Sequence, residues 1–153
     1  MVQTSVAAPA QTRLPPETQE DTYLEPPWLL EPLWRLAGDL RNARVLIVAE
    51  QGLDLMCGLI RRGCPAATVL RPGDKPDADD YDVVLVPRVT AFPSFEDVIR
   101  LARRSLVPNG RLIAGARDVG ALARRLRLNG FSALHSSHLP GLTLLRADLR
   151  RSS

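Results

Sequence analysis

Apolar residues recur along this chain in two rhythms, a helical one and short unbroken runs. From Pro26, the positions Leu29, Leu30, Leu33, Trp34, Ala37 and Leu40 fall at helical spacing and predict a helix near 28–40. Pro32 is read as marking its first turn, where a missing N–H is tolerated, and Gly38 or Asn42 as ending it. Arg44–Ala49 is a continuous apolar run, the mark of a strand buried on both faces of a parallel sheet. Gly52, Leu55, Met56, Leu59, Ile60 and Gly63 then repeat as one helical stripe directed at that sheet. Ala67–Leu70 is a second strand, ending at Arg71-Pro72-Gly73, and the polar stretch Gly73–Asp80 is a loop.

The alternation continues downstream. Tyr81–Pro87 is a third apolar run, and Ser94 with Asp97 has capping-box spacing before the stripe Phe95, Val98, Ile99, Ala102 and Leu106. Pro108-Asn109-Gly110 is expected to stop that helix. Arg111–Ala116 is a strand, and Asp118 caps a helix carrying Val119, Leu122, Ala123 and Leu126, with Asn129-Gly130 as its left-handed stop. Phe131–Leu139 and Leu142–Leu149 read as two strands joined at Pro140-Gly141, which favours an antiparallel hairpin. Strands alternating with helices and closed by a hairpin predict an α/β layered sheet, with Leu46, Val48, Val84, Val86, Leu112 and Ile113 in its core.

Composition adds boundaries to this picture. With 153 residues, 45% apolar and 24% charged, the chain fits one globular domain. Residues 1–25 have no sustained period and are expected to be a disordered tail, leaving 26–153 as the α/β domain. Neither a signal-peptide pattern nor a long apolar run is present, so a soluble, cytoplasmic protein with no membrane association is expected. Cys57 and Cys64 are too few for a disulfide framework and are assigned to packing. His135 and His138, three apart on a strand, face opposite ways and predict no metal site.

The net charge of +3 conceals an asymmetry. Up to Ile99 there are nine basic and fifteen acidic side chains, and after it eleven basic ones, all arginine, against two acidic. Such a half suits either a solvated helix face or an acidic or nucleic-acid partner.

The order of elements, together with three local patterns, resembles a class I S-adenosylmethionine-dependent methyltransferase over about residues 43–149. Tyr81-Asp82-Val83-Val84-Leu85 is similar to the family's fourth-strand motif. Leu106-Val107-Pro108-Asn109-Gly110-Arg111-Leu112 is similar to its L-x-P-G-G-x-L turn into the fifth strand, with Asn109 in place of one glycine. Asn129-Gly130-Phe131 resembles the entry to its terminal hairpin. The resemblance implies a Rossmann-like sheet, mostly parallel with a C-terminal antiparallel hairpin, here shortened between the second and fourth strands. Arg71 to Tyr81 is long enough to cross one neighbouring strand but leaves no room for crossover helices.

The positions matching the family's cofactor site are Glu50, Gly52, Asp54 and Arg71, and they depart from its pattern. Ile47 stands where an acid is expected, and Ala49, Gln51 and Leu53 stand where glycines let the backbone approach the ligand. At the end of the second strand Arg71 replaces the acid that accepts both ribose hydroxyls, and an arginine has donors only. Glu50 or Asp54 is the available substitute. Arg88, just past the fourth-strand motif, matches a rim where substrate groups lie, while Tyr81 and Asp82 read as structural.

The expectation is therefore a degenerate methyltransferase-like domain without a cofactor, acting as a protein-binding or regulatory subunit, through a protein partner or as a homodimer. The contact face is expected beside Ala67–Leu70 and the 73–80 loop, unless the helix carrying Trp28 and Trp34 folds over it. The alternative is a small active methyltransferase using S-adenosylmethionine. A third reading is a nucleic-acid-binding module on the arginine-rich half.

Overall fold

The computed structural model describes residues 27–76 and 80–150. The tail expected over 1–25 lies outside them. In chain order come α1 (Pro27–Ala37), β1 (Arg44–Val48), α2 (Leu53–Arg61), β2 (Ala66–Leu70), β3 (Tyr81–Val86), a single 3-10 turn (Val89–Ala91), α3 (Phe95–Ser105), β4 (Leu106–Ala116), α4 (Val119–Leu128), β5 (Phe131–Leu139) and β6 (Leu142–Leu149). The six strands form one sheet in the order β2-β1-β3-β4-β6-β5. The four strands from β2 to β4 run parallel, and β6 pairs antiparallel with both β4 and β5.

The apolar runs become central strands because each must be buried on both faces. Leu46, Val48, Val84, Val86, Leu112 and Ala114 face the layer of α3 and α4, where Val98, Ile99, Leu122, Leu126 and Phe131 complete one core. Val45, Ile47, Val83, Leu85 and Ile113 face α1 and α2, where Leu29, Leu33, Trp34, Leu55 and Leu59 complete the other. Among the described residues no helix joins β2 to β3, so nothing equivalent to α1 or α2 stands beyond β2. The last four residues of β2 are accordingly only half-buried and Ala66 is exposed.

Several local details correct the expectations. Pro32 lies inside α1 rather than in its first turn, with the helix already running five residues earlier; the tertiary burial of Leu29, Leu33 and Ala37 outweighs the one hydrogen bond that the proline deletes. Helix α3 stops at Ser105, ahead of Pro108, because β4 begins at Leu106 and absorbs the Pro-Asn-Gly turn as an irregularity: Tyr81 pairs with Leu106, whereas Val83 pairs with Arg111. Asn109 takes φ +70° there, a left-handed conformation that asparagine tolerates where glycine would otherwise be needed. The Ser94 hydroxyl reaches the Asp97 carboxylate at 3.2 Å and makes no backbone cap, so the capping box is incomplete. Asp118 does cap α4, accepting from the Ala121 N–H at 3.1 Å. Cys64 is buried but Cys57 is exposed, which removes packing as the role of the latter. Ile60 is 58% exposed, so the stripe predicted for α2 reaches the sheet only through Leu55, Leu59 and, in part, Met56.

Two arginines of the basic half turn inward. Arg111 of β4 donates to the Ala37 carbonyl at 2.7 Å and the Asp39 carbonyl at 3.1 Å, and Arg146 of β6 donates to the Leu36 carbonyl at 3.1 Å. They supply donors and positive charge to the carbonyl end of α1, where a helix leaves its last acceptors open and its dipole is negative. This clamp seats α1 over β4, β5 and β6, away from β2.

Candidate functional site

In a parallel α/β sheet ligands meet the C-terminal ends of the strands, and one corner at that end is formed by the ends of β1 and β2 with the start of α2. A cavity of about 380 Å³ lies there, lined by Glu50, Gln51, Gly52, Leu53, Met56, Val69, Arg71 and Asp74. Glu50, Gly52 and Arg71 thus line one cavity. Asp54 does not line the cavity: its carboxylate accepts the N–H of its neighbour Leu55 at 3.0 Å. Arg88 is exposed at the head of the 3-10 turn and also stands outside it.

Asp74 was missed. The signal was present in Arg71-Pro72-Gly73-Asp74, where proline and then glycine suit the two centres of a type II turn. The Asp74 N–H closes that turn onto the Arg71 carbonyl at 3.1 Å with Gly73 at φ +97°, which carries the acid back beside Arg71.

The walls of this cavity show why Gly52 is a glycine. Its backbone has φ −104°, an ordinary value, so no left-handed turn requires it. A Cβ at this position would stand 2.9 Å from Val69 Cγ1 and 3.1 Å from Ile47 Cγ2. The glycine therefore makes room for these core side chains. Ile47 itself is fully buried.

A bound S-adenosylmethionine would ask this corner for a ribose acceptor at the end of β2 and bare backbone in the turn after β1. The residues present do not fit those demands: Arg71 offers only donors, Ile47 and Val69 occupy the space against the turn, and the side chain of Leu53, 65% exposed, projects where the family has glycine. Glu50, Gln51, Arg71 and Asp74 are exposed, which makes the cavity an open dish rather than an enclosure.

Asp82 acts within the fold, its carboxylate accepting the Arg44 N–H at 2.9 Å, and the Arg44 guanidinium lies 5.5 Å from the Tyr81 ring centre. His135 and His138 are exposed, and no cluster of three or more metal-ligating side chains occurs among the described residues. On the α3–α4 layer Arg100 pairs with Asp97 and Arg125 with Glu96, while Arg103, Arg104, Arg124 and Arg127 are exposed. None of the described aromatic side chains is exposed, so among the described residues this basic face offers no platform on which a base could stack. No helix among the described residues is long and apolar enough to cross a membrane.

No family model and no curated protein sequence matches this chain. Solved structures do match. An S-adenosylmethionine-dependent methyltransferase from Mesorhizobium loti superimposes with a TM-score of 0.67 at 10% identity, over 79% of this chain and 97% of that one. A SAM-dependent methyltransferase from Aquifex aeolicus gives 0.61 at 10% identity, over 87% and 94%. An O-methyltransferase family protein from Burkholderia thailandensis gives 0.59 at 11% identity, over 81% of this chain and 57% of that one. At such identities the likeness is one of fold, and the chain has the class I, Rossmann-like methyltransferase fold.

Proposed function

We propose that this chain is a methyltransferase-like domain that does not use S-adenosylmethionine and works as a protein-binding, regulatory subunit. The observation that carries this reading is Gly52, whose Cβ direction is taken up by Ile47 and Val69 as core packing. Arg71 supports it. Losing two hydrogen bonds to a charged acceptor costs about 1.5–3 kcal/mol each, so a ribose facing Arg71 forfeits roughly two to four powers of ten in affinity.

The protein-binding part of the reading rests on what the fold leaves uncovered. Clamped by Arg111 and Arg146, α1 lies over β4 to β6, so the cover that it could have given β2 is missing. A half-buried edge strand beside exposed leucine and isoleucine is a surface suited to a protein contact.

Calorimetric titration of the full chain with S-adenosylmethionine and S-adenosylhomocysteine tests the cofactor half of the proposal. The expected result is no saturable heat at millimolar ligand. Saturation in the micromolar range would overturn it and favour a small active methyltransferase with a diverged turn.

A further inference from the structure

We infer that the β2 edge and the outer face of α2 bind a second copy of this chain, edge to edge, about a two-fold axis passing near Thr68 and Cys57. The inference rests on the proposed partner role and names its surface. Among the described residues β2 has a neighbour on one side only. Exposed edges are ordinarily guarded by charge, proline or a bulge, and Ala66-Ala67-Thr68-Val69-Leu70 has none of these within it. The opposite edge is guarded: β5 carries a bulge between Ser132 and His135, with Ala133 at φ +53°.

The helix beside this bare edge is apolar on its outer face. Three large hydrophobic side chains are exposed among the described residues, and two of them, Leu53 (65%) and Ile60 (58%), lie on α2. With exposed Cys57 they stand at i, i+4 and i+7, one uncharged stripe, and half-buried Met56 continues it toward Val69 of β2.

Symmetry and charge choose the occupant. Cys57 is the midpoint of α2 (Leu53–Arg61) and Thr68 the midpoint of β2 (Ala66–Leu70), so a single two-fold axis can make both elements self-complementary. That operation runs α2 antiparallel to its copy and sets the acidic first turn, with Asp54, against the basic last turn, with Arg61. It also brings Ile60 and Arg61 of the second copy over the 380 Å³ cavity, where Leu53, Met56 and Val69 give an apolar floor. Glu50 and Asp74 on the rim outnumber Arg71, leaving that end net negative toward the incoming arginine. An unrelated partner would have to be designed to this pattern, whereas a second copy carries it already.

The strand is about 17 Å long and the helix about 13 Å, a patch smaller than the roughly 800 Å² per partner of a standard interface. A weak, reversible dimer is therefore expected.

Light scattering on the full chain from about 5 to 500 µM measures this directly. The expected result is a monomer–dimer transition that Leu53→Lys and Ile60→Lys each weaken at least about thirtyfold, since both copies lose the buried contact. Both positions are exposed, so the melting temperature of dilute monomer should stay unchanged and separate a lost contact from a lost fold. Mild oxidation of the dimer should link Cys57 to its symmetry mate, with Cys57→Ser abolishing the linked species and Cys64→Ser sparing it. A strictly monomeric chain at 500 µM, or a dimer indifferent to Ile60→Lys, would overturn the inference. Cofactor calorimetry is independent: a dimer that binds S-adenosylmethionine refutes the proposed function alone, and a monomer that ignores it refutes this inference alone.

Discussion

Arg111→Met tests the clamp that decides which part of the sheet α1 covers. The substitution keeps most of the aliphatic stem and deletes both hydrogen bonds, at 2.7 Å to the Ala37 carbonyl and 3.1 Å to the Asp39 carbonyl. Bonds to a charged donor contribute about 1.5–3 kcal/mol each when truncated. The upper end does not apply, because Arg111 is itself only half-buried and its charge is disfavoured there, first by burial and then by the neighbouring Arg146. A net loss of about 2–3 kcal/mol follows, a large share of the roughly 5–15 kcal/mol that holds a domain together. At this chain length that corresponds to a melting-temperature drop of roughly 4–12 °C. Urea unfolding followed by tryptophan fluorescence reads the change, since Trp34 sits on α1. Arg111→Lys should recover only part, having no planar fork to reach two carbonyls. Arg103→Met, at an exposed position on α3, should change stability by less than about 0.5 kcal/mol. Equal, small effects at 103 and 111 would refute the clamp at Arg111.

Gly52→Ala should destabilise the domain by about 1–3 kcal/mol in chemical denaturation, because its methyl meets Val69 and Ile47; a neutral result would mean that the space is open and would reopen the cofactor reading. The Asp39 carboxyl should titrate near pH 2, held down from 3.8 first by its hydrogen bond to the Arg41 side chain. Its folded pKa lies below its unfolded one, so its stabilising contribution is complete above about pH 3.8 and is lost as pH falls through about 2. Carboxyl-carbon NMR would record the midpoint, and Arg41→Gln should return it toward 3.8; a wild-type midpoint near 4 would show that the pair does not persist in solution.

The strands were legible because burial on both faces leaves short apolar runs bounded by turn residues, too short for buried helices, and all six residues chosen for the core are buried. Ile60 was misplaced for a tertiary reason. Periodicity reports which residues could face a core, whereas α2 sits at the end of the sheet, where Leu55, Leu59 and part of Met56 take the contact and, among the described residues, no strand beyond β2 receives the rest. The departures from the cofactor pattern could be read from residue type alone, since a missing acceptor or an added Cβ is a local fact. What filled the space was not legible: Val69 comes from another strand, and its approach to Gly52 depends on the parallel register that pairs it with Ile47. The inward turn of Arg111 and Arg146 was equally hidden, because exposed and clamping arginines are the same letter in a sequence.

Two losses that look separate in the sequence meet at one corner of the structure. The short 71–81 connection places no helix beyond β2 among the described residues, and the turn after β1 carries side chains at the positions where the resemblance expects glycines. Val69 belongs to both sites: it borders the unpartnered edge, and it closes on Gly52 from the sheet side. Leu53 likewise stands at a position that the resemblance assigns to glycine and forms one end of the exposed α2 stripe. On the proposed function no ligand needs the turn to be bare, and a branched side chain at 53 or 69 serves packing and contact instead. Restoring only the turn, for example with Leu53→Gly, should therefore not create cofactor affinity, because Ile47 and Val69 still fill the space and Arg71 still lacks acceptors, but it should weaken self-association by removing one end of the stripe.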